Sequence, residues 1–431
     1  MVGNVVLVPL TSIVRALAAF TVAIMTMTHV ALAQTTLPTL NAKDTKGTLL
    51  IMGGAVRPDN LEIWNRLVAA AGGKGAKFAV IAAAAGNPEA SARRIIEALR
   101  AHGAEGVLIP VAPRLPNTDY RKAAQDVTIA RTVSESSGVF FTGGDQGRIT
   151  DALLTADGRP TALLEAVWSV YHRGGVIAGT SAGAAVMSTT MFFEPPDVLS
   201  LLKSGVVNGR DIAPGLGFVG GDVFVDQHVL ARGRFARMVP AMRAAGYTFG
   251  IGVDENTALF VGARSTAEVI GNSGVIVVDT SEARFANPGD GIEVSGVRLS
   301  YLERGDRIDL RSRKVTPSAY KLAGRVLDHK AVDFNPEFSE LRFYADVLGK
   351  NQLIEIMCNL ADNHVPKVTG LLFGSPDSKS PDQGFEYTFR KGSSTLAHLR
   401  IENATAHYTV LNVEMDVRRV TMAVPLYRAT P

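Results

Sequence analysis

Between residues 48 and 187 short, continuously apolar runs alternate with amphipathic segments, and this rhythm constrains the fold more than any other feature. Strands are expected at 48–52, 78–83, 106–109, 139–142 and 176–178. Helices are expected at 61–71, 89–102, 123–135, 161–173 and 182–187. A strand that is apolar along its whole length needs cover on both faces, and helices between parallel strands supply it. The fold class is therefore α/β, a mostly parallel sheet flanked by helices. Beyond Met191 the rhythm breaks. Residues 194–221 are rich in Pro, Gly and Asp and look like an irregular border to a site. Further strands are expected at 249–253, 258–261 and 275–279, before a turn cluster at 287–291. After it come an apolar helical stretch at 353–360 and alternating pieces at 385–389, 395–401 and 408–413. This gives a main α/β domain over 48–290 and a smaller β-containing C-terminal domain over 291–431, of unassigned role.

The N-terminus adds a location. Arg15 precedes an apolar run at 16–27, and Ala31-Leu32-Ala33 has the small-x-small pattern of a signal-peptidase site. Residues 1–33 read as a secretory signal and 34–47 as a linker, so the mature protein is expected outside the cytoplasm, periplasmic or secreted, with no membrane anchor once cleaved. The apolar stretch at 2–14 stands where a basic segment belongs, so a downstream start or an uncleaved anchor stays open. The lone cysteine, Cys358, allows no internal disulfide. Hydrophobic residues at 46% provide a sizeable core, while a net charge of only +3 without a long basic run argues against nucleic acid as a partner.

The strongest chemical signal is Gly179-Thr180-Ser181-Ala182-Gly183-Ala184, directly after an apolar strand and before a helix. That is the setting of a nucleophile elbow, a tight turn whose serine is strained and whose neighbours must be small. A helix N-terminus there favours the negative charge that develops in acyl transfer. By itself the motif also fits a Gly-rich turn with a capping serine. A second strand ends in Thr142-Gly143-Gly144-Asp145-Gln146. Its glycines allow backbone N–H groups of Gly143 or Gly144 to join that of Ala182 in an oxyanion hole. The same doublet, and Gly53-Gly54 earlier, would suit a phosphate loop, but Gly-x-Gly-x-x-Gly and the Walker lysine are missing. A serine nucleophile needs a base. His228 follows Val225-Asp226-Gln227 at a strand end, whereas His102 and His172 stand at helix ends and His329, His364, His398 and His407 lie in the C-terminal region. Glu255 is the expected orienting acid, with Asp254 its rival.

These motifs resemble, in order, the signatures of the cyanophycinases among the peptidase E-like serine peptidases of family S51. They are Thr142–Gln146, Gly179–Ala184, Asp226-Gln227-His228 with Arg232, Arg234 and Arg237, and Gly252-Val253-Asp254-Glu255-Asn256-Thr257-Ala258. The resemblance spans 48–279 and makes 48–290 a catalytic domain, of class I glutamine amidotransferase-like or flavodoxin-like fold. It implies a Ser181–His228–Glu255 triad and an exopeptidase that cuts cyanophycin, an arginine-bearing poly-aspartate, into β-Asp-Arg dipeptides. Such a substrate wants both signs of charge in its cleft. Arg232 and Arg234 are expected to receive carboxylates and Arg237 to be partly structural; Asp226 or nearby acids would meet the guanidinium, Gln146 would fix the backbone near the nucleophile, and Gln227 is a further expected substrate-binding residue. No metal or other cofactor is expected, since HExxH and clustered Cys/His ligands are missing. A homodimer is compatible with this reading. Val229 departs from the family, which usually has an aromatic residue after the histidine. Two rivals remain: a peptidase for other Asp-containing peptides, and an inactive exported binding protein.

Overall fold

The computed structural model describes residues 47–262, 265–286 and 292–427. The expected signal and almost all of the linker lie outside these residues, as does the turn cluster at 287–291. The first half alternates as expected: β1 (Thr48–Met52), α1 (Leu61–Ala70), β2 (Lys77–Ile81), α2 (Pro88–Ala101), β3 (Glu105–Ile109), α3 (Tyr120–Ala124), α4 (Val127–Ser134), β4 (Gly138–Phe141), α5 (Gln146–Leu153), α6 (Ala162–His172), β5 (Val176–Thr180) and α7 (Ala182–Ala185). The single helix expected at 123–135 is two, because Asp126 accepts from the N–H groups of Thr128 and Ile129 and starts a new helix. Helix α5 was not expected from the pattern; Asp145 caps it by accepting from the Gly147 N–H at 2.9 Å.

Next come β6 (Thr190–Phe192), α8 (Val198–Ser204), β7 (Ile212–Pro214), β8 (Phe224–Gln227), α9 (Phe235–Ala245), β9 (Phe249–Val253), β10 (Thr257–Val261), β11 (Thr266–Gly271) and β12 (Gly274–Asp279). The border expected to be irregular thus holds one helix, α8, and the short strand β7, which pairs with β6 just before it. The remainder is β13 (Arg284–Phe285), β14 (Val294–Glu303), β15 (Arg307–Asp309), β16 (Val315–Thr316), α10 (Ala319–Leu322), β17 (Arg325–Leu327), β18 (Phe343–Tyr344), α11 (Gln352–Ala361), β19 (Lys367–Phe373), β20 (Gln383–Glu402) and β21 (Thr405–Thr421). The pieces expected at 385–389 and 395–401 are one strand, β20, with a register shift between Lys391 and Leu396.

Two large sheets form. The first has the order β16-β15-β11-β10-β1-β5-β4-β2-β3. From β1 to β3 every pairing is parallel, and from β10 to β16 every pairing is antiparallel. Its central strands alternate between two cores: Leu49 and Ile51 of β1 face one, Leu50 and Met52 the other. This two-sided burial explains the continuous apolar runs. The second sheet runs β18-β19-β20-β21-β14-β12-β9-β8. The C-terminal segment is β-containing, and its strands extend a sheet that begins with β8, β9 and β12 inside the catalytic segment. Strands β12 and β14 pair over six residues on either side of the expected boundary, from Gly274 with Glu303 to Asp279 with Arg298. One buried cluster joins α9 to α11, β20 and β21. The described residues from 47 onward belong to a single compact unit.

The chain passes from the second sheet back to the first at Asp306, between β14 and β15. Asp306 is fully buried, and its carboxylate accepts from Lys321 Nζ at 2.6 Å, Thr409 Oγ1 at 2.7 Å and the N–H groups of Ser318 at 2.8 Å and Glu303 at 2.9 Å. Lys321, also buried, donates in addition to the Tyr408 carbonyl at 3.1 Å. Removing one member of such a pair strands a buried charge. Lys321→Met is expected to lower unfolding stability by about 3–5 kcal/mol, read from urea denaturation. A loss below about 1 kcal/mol would show that the pair does not clamp the two sheets.

Candidate active site

The first chemical residue is set by the turn after β5. Ser181 has φ 53° and ψ −113°, a conformation costly for a residue with a Cβ. The turn closes only because its flanks are bare. A Cβ on Gly179 would sit 2.2 Å from the Gly183 carbonyl oxygen, and one on Gly183 would sit 2.4 Å from the Phe141 carbonyl oxygen. The Ser181 side chain does not cap α7, which leaves its hydroxyl available.

His228 and Glu255 come from the other sheet. His228 follows β8 with φ 54°, and Glu255 lies just past β9, which pairs parallel with β8. The three side chains form one chain of contacts. His228 Nε2 lies 2.9 Å from Ser181 Oγ, and His228 Nδ1 lies 2.6 Å from Glu255 Oε1. With Nδ1–H donating to the carboxylate, Nε2 is left to accept from the serine hydroxyl. Burial, the largest influence, and the nearby Arg232 and Arg234 push the His228 pKa below its usual value against the pull of Glu255. The imidazole is thus biased toward the neutral form that accepts a proton.

Gly53 and Gly54, weak as a phosphate loop, have a positional role that the sequence reading missed. They follow β1 and sit between the carriers of the three groups. The Met52 carbonyl accepts from Ser181 N–H at 3.0 Å, the Gly53 carbonyl from His228 N–H at 2.9 Å, and the Gly54 carbonyl from Asn256 N–H at 2.8 Å. A Cβ on Gly54 would lie 2.2 Å from His228 Cε1, and its φ of +116° already favours glycine. The readable signal was a glycine doublet at the end of a central strand.

Gly143 lies beside the nucleophile: a Cβ there would be 3.2 Å from Ser181 Cβ and 3.7 Å from Oγ. Gly144 has φ +141°, and a Cβ on it would meet the Ala84 carbonyl oxygen at 2.0 Å. The Ala182 N–H is in the first turn of α7, where helix geometry supplies no acceptor. Gly143 and the Ala182 N–H therefore lie next to Ser181, and Gly144 lines the same cavity.

The remaining expected site residues divide. Asp254 does not orient the histidine. It is buried, with Oδ1 accepting from the N–H groups of Leu230 at 3.0 Å and Ala231 at 2.9 Å and Oδ2 from Ser273 Oγ at 2.7 Å. Its work is to hold the turn that follows His228. Asp226, expected to meet a substrate guanidinium, instead meets a resident one: Arg237 donates Nε to Oδ2 at 2.8 Å and Nη2 to Oδ1 at 2.7 Å. Both residues are buried, and Arg237 also stacks 4.0 Å from the Phe192 ring centroid. Gln227 is held by Arg234, whose Nη1 donates to Gln227 Oε1 at 2.8 Å. Burial and then Arg237 bring the Arg234 pKa down to about 10, which keeps the guanidinium charged at neutral pH. Gln146 donates Nε2 to the Phe192 carbonyl at 2.8 Å. Arg232 is exposed and lies 3.7 Å from Glu255 Oε1. Val229, where the family has an aromatic residue, is buried against Gly252.

Ser181, Gly144, Gln146, Gln227 and the three arginines line one cavity of about 760 Å³. The facing lining comes from the segment after β6, including Glu194 and Asp197, and from Asp346, Leu348, Leu372 and Phe373 far along the chain. Nothing in the local sequence around these last four marks them as part of a site. The arrangement can activate a hydroxyl for attack, stabilise an adjacent oxyanion and hold ligand groups of either charge.

Residues 49–269 match the sequence profile of Peptidase family S51. Over 306 residues the chain is 31% identical to a cyanophycinase of Trichormus variabilis, covering 67% of this chain and 96% of that protein. Over 276 residues it is 32% identical to a cyanophycinase of Synechococcus elongatus, covering 63% of this chain and 81% of that protein. A crystal structure of a peptidase from an acI-B1 actinobacterium aligns with 62% of this chain and 98% of its own, at 23% identity and a TM-score of 0.44. Because the profile spans about half of the chain, and a relative is matched over nearly its whole length, this protein belongs to peptidase family S51 and is a peptidase.

Proposed function

We propose that the protein is an exported serine exopeptidase that degrades cyanophycin to β-Asp-Arg dipeptides through a Ser181–His228–Glu255 triad. The observation that carries this reading is the unbroken contact from Ser181 Oγ through His228 to Glu255 in a cavity lined by charges of both signs. The likeness to two cyanophycinases supplies the substrate.

In this mechanism Ser181 Oγ attacks the scissile carbonyl carbon while His228 Nε2 takes its proton. Glu255 keeps the imidazole in the right tautomer and stabilises the imidazolium. The oxyanion is met by backbone N–H groups at Ala182 and at Gly143 or Gly144, donors already fixed before reaction. His228 returns the proton to the leaving amine. Water then cleaves the acyl-enzyme by the same steps in reverse. Arg232 and Arg234 meet substrate carboxylates, and the buried Asp226–Arg237 pair holds the wall on which Arg234 stands. Incubation with cyanophycin is expected to release β-Asp-Arg, read by mass spectrometry. Ser181→Ala should lose on the order of 10⁶ in kcat, and adding His228→Ala should cost little more, since triad members act as a unit. Wild-type rates in a folded Ser181→Ala protein would end the mechanism.

The proposed base also fixes a pH dependence. A depressed pKa means His228 stays neutral, and able to accept the serine proton, to lower pH than free imidazole. The acid limb of kcat/KM is expected to have its midpoint below the ordinary imidazole value of 6.5. A midpoint at or above that value would contradict the buried, arginine-flanked site.

Export rests on the Ala31-Leu32-Ala33 pattern after an apolar run. Expressed in a secreting bacterial host, the protein is expected outside the cytoplasm with Gln34 at its N-terminus. Retention in the cytoplasm with the leader intact would remove this part of the reading.

A further inference from the structure

The family match ends at residue 269, yet four residues far beyond it line the cavity that holds Ser181. Asp346, Leu348, Leu372 and Phe373 come from the segment after β18 and from the end of β19. This segment is built into the site rather than laid over it. Asn351 donates its N–H to the Leu230 carbonyl at 3.1 Å, two residues past His228. Gly233, between Arg232 and Arg234, has φ +58° and packs so closely on Leu348 that a Cβ would sit 2.4 Å from its carbonyl oxygen. The loop bearing Asp346 therefore backs directly onto the arginine-bearing loop.

The charges and surfaces on this wall are complementary to one kind of group. Asp346 Oδ1 accepts from the Leu348 N–H at 2.9 Å, which fixes the carboxylate. Its other oxygen has no hydrogen-bond or ion-pair partner among the described residues. Asp197, also in the cavity, is committed to Ser200, accepting from its N–H at 3.0 Å and its hydroxyl at 2.6 Å. Beside Asp346 stand the apolar side chains of Leu348, Leu372 and Phe373. A held carboxylate in a cavity that also presents apolar side chains suits a long side chain with methylenes and a cationic head.

We propose that the C-terminal segment forms a specificity subsite in which Asp346 receives the guanidinium of a substrate arginine while Leu348, Leu372 and Phe373 cover its methylenes. This deepens, and rests on, the cyanophycin reading above. It gives the cleft a division of labour: resident arginines face substrate carboxylates, and a residue outside the family core faces the substrate cation.

The test compares two short polymers of the same backbone, one with arginine on each β-carboxyl and one with citrulline, its neutral isostere. Asp346→Asn keeps the Oδ1 acceptor for Leu348 and removes only the charge, so its melting temperature should match the wild type. It is expected to lose about tenfold in kcat/KM on the arginine polymer, the size of a partly exposed charge-assisted contact, and less than twofold on the citrulline polymer. Glu97→Gln, the same change on the exposed face of α2 and outside the cavity lining, is expected to leave both rates within twofold of the wild type. Equal losses on the two polymers, no loss at all, or the same selective loss in Glu97→Gln would overturn the assignment. Failure of the wild type to cut the arginine polymer would instead sink the substrate reading, and this subsite with it.

Discussion

Three successive carbonyls, those of Met52, Gly53 and Gly54, hold the N–H groups of Ser181, His228 and Asn256. The rest of the site depends on this short stretch of backbone. The nucleophile is carried by one sheet and its histidine and glutamate neighbours by another, and two sheets can slide. A backbone hydrogen bond is short, directional and costly to leave unmade when buried. Fixing all three carriers to consecutive residues therefore sets the distance from Ser181 to His228 by covalent spacing. Glycine at 54 is what lets the imidazole lie over the strand end.

Around that anchor, carboxylates are sorted by what they already bind. Asp254 and Asp226 are buried and fully engaged, one by backbone N–H groups and Ser273, the other by Arg237. A buried charge left unpaired is expensive, so these two are structural. Glu255 differs: its side chain is about one-third exposed, at 32%, and touches His228 directly. The arginines divide in the same way. Arg237 is sunk in its pair, Arg234 is tied to Gln227 yet lines the cavity, and Arg232 is exposed. The same residue types in one short stretch thus have different environments, and environment decides which can meet a ligand.

Much of this was legible in the sequence. The strand–helix rhythm to α7 survives, apart from the split at Asp126 and the added α5, because two-sided burial leaves an unambiguous apolar signature. Ser181, His228 and Glu255 each end a strand in a motif that stands out locally, and the structure brings them together. What failed to show was local in a different way. Strand β11 has the burial of an ordinary strand and glycine-rich turns on both sides, but Glu268 interrupts the apolar run that would have marked it. Helix α5 rests on the Asp145 cap inside a glycine-rich loop. The substrate-binding expectation for Asp226 missed its partner, because Arg237 lies eleven residues away and reaches it only across a strand-to-helix turn.

By itself the sequence determined the α/β class, the order of most elements and the strained turn at Ser181, all written in short-range pattern: apolar period and small residues at a tight turn. It offered His228 and Glu255 with Asp254 as a rival acid, the triad following from the family resemblance, and the structure separated the two acids. Only the tertiary structure decided that β8, β9 and β12 form one sheet with the C-terminal strands, and that Asp346 and Phe373 share a cavity with Ser181. Pairing between strands and the meeting of loops depend on contacts between residues far apart in the chain. No local propensity encodes them, and they are fixed only when the two sheets close on a common core.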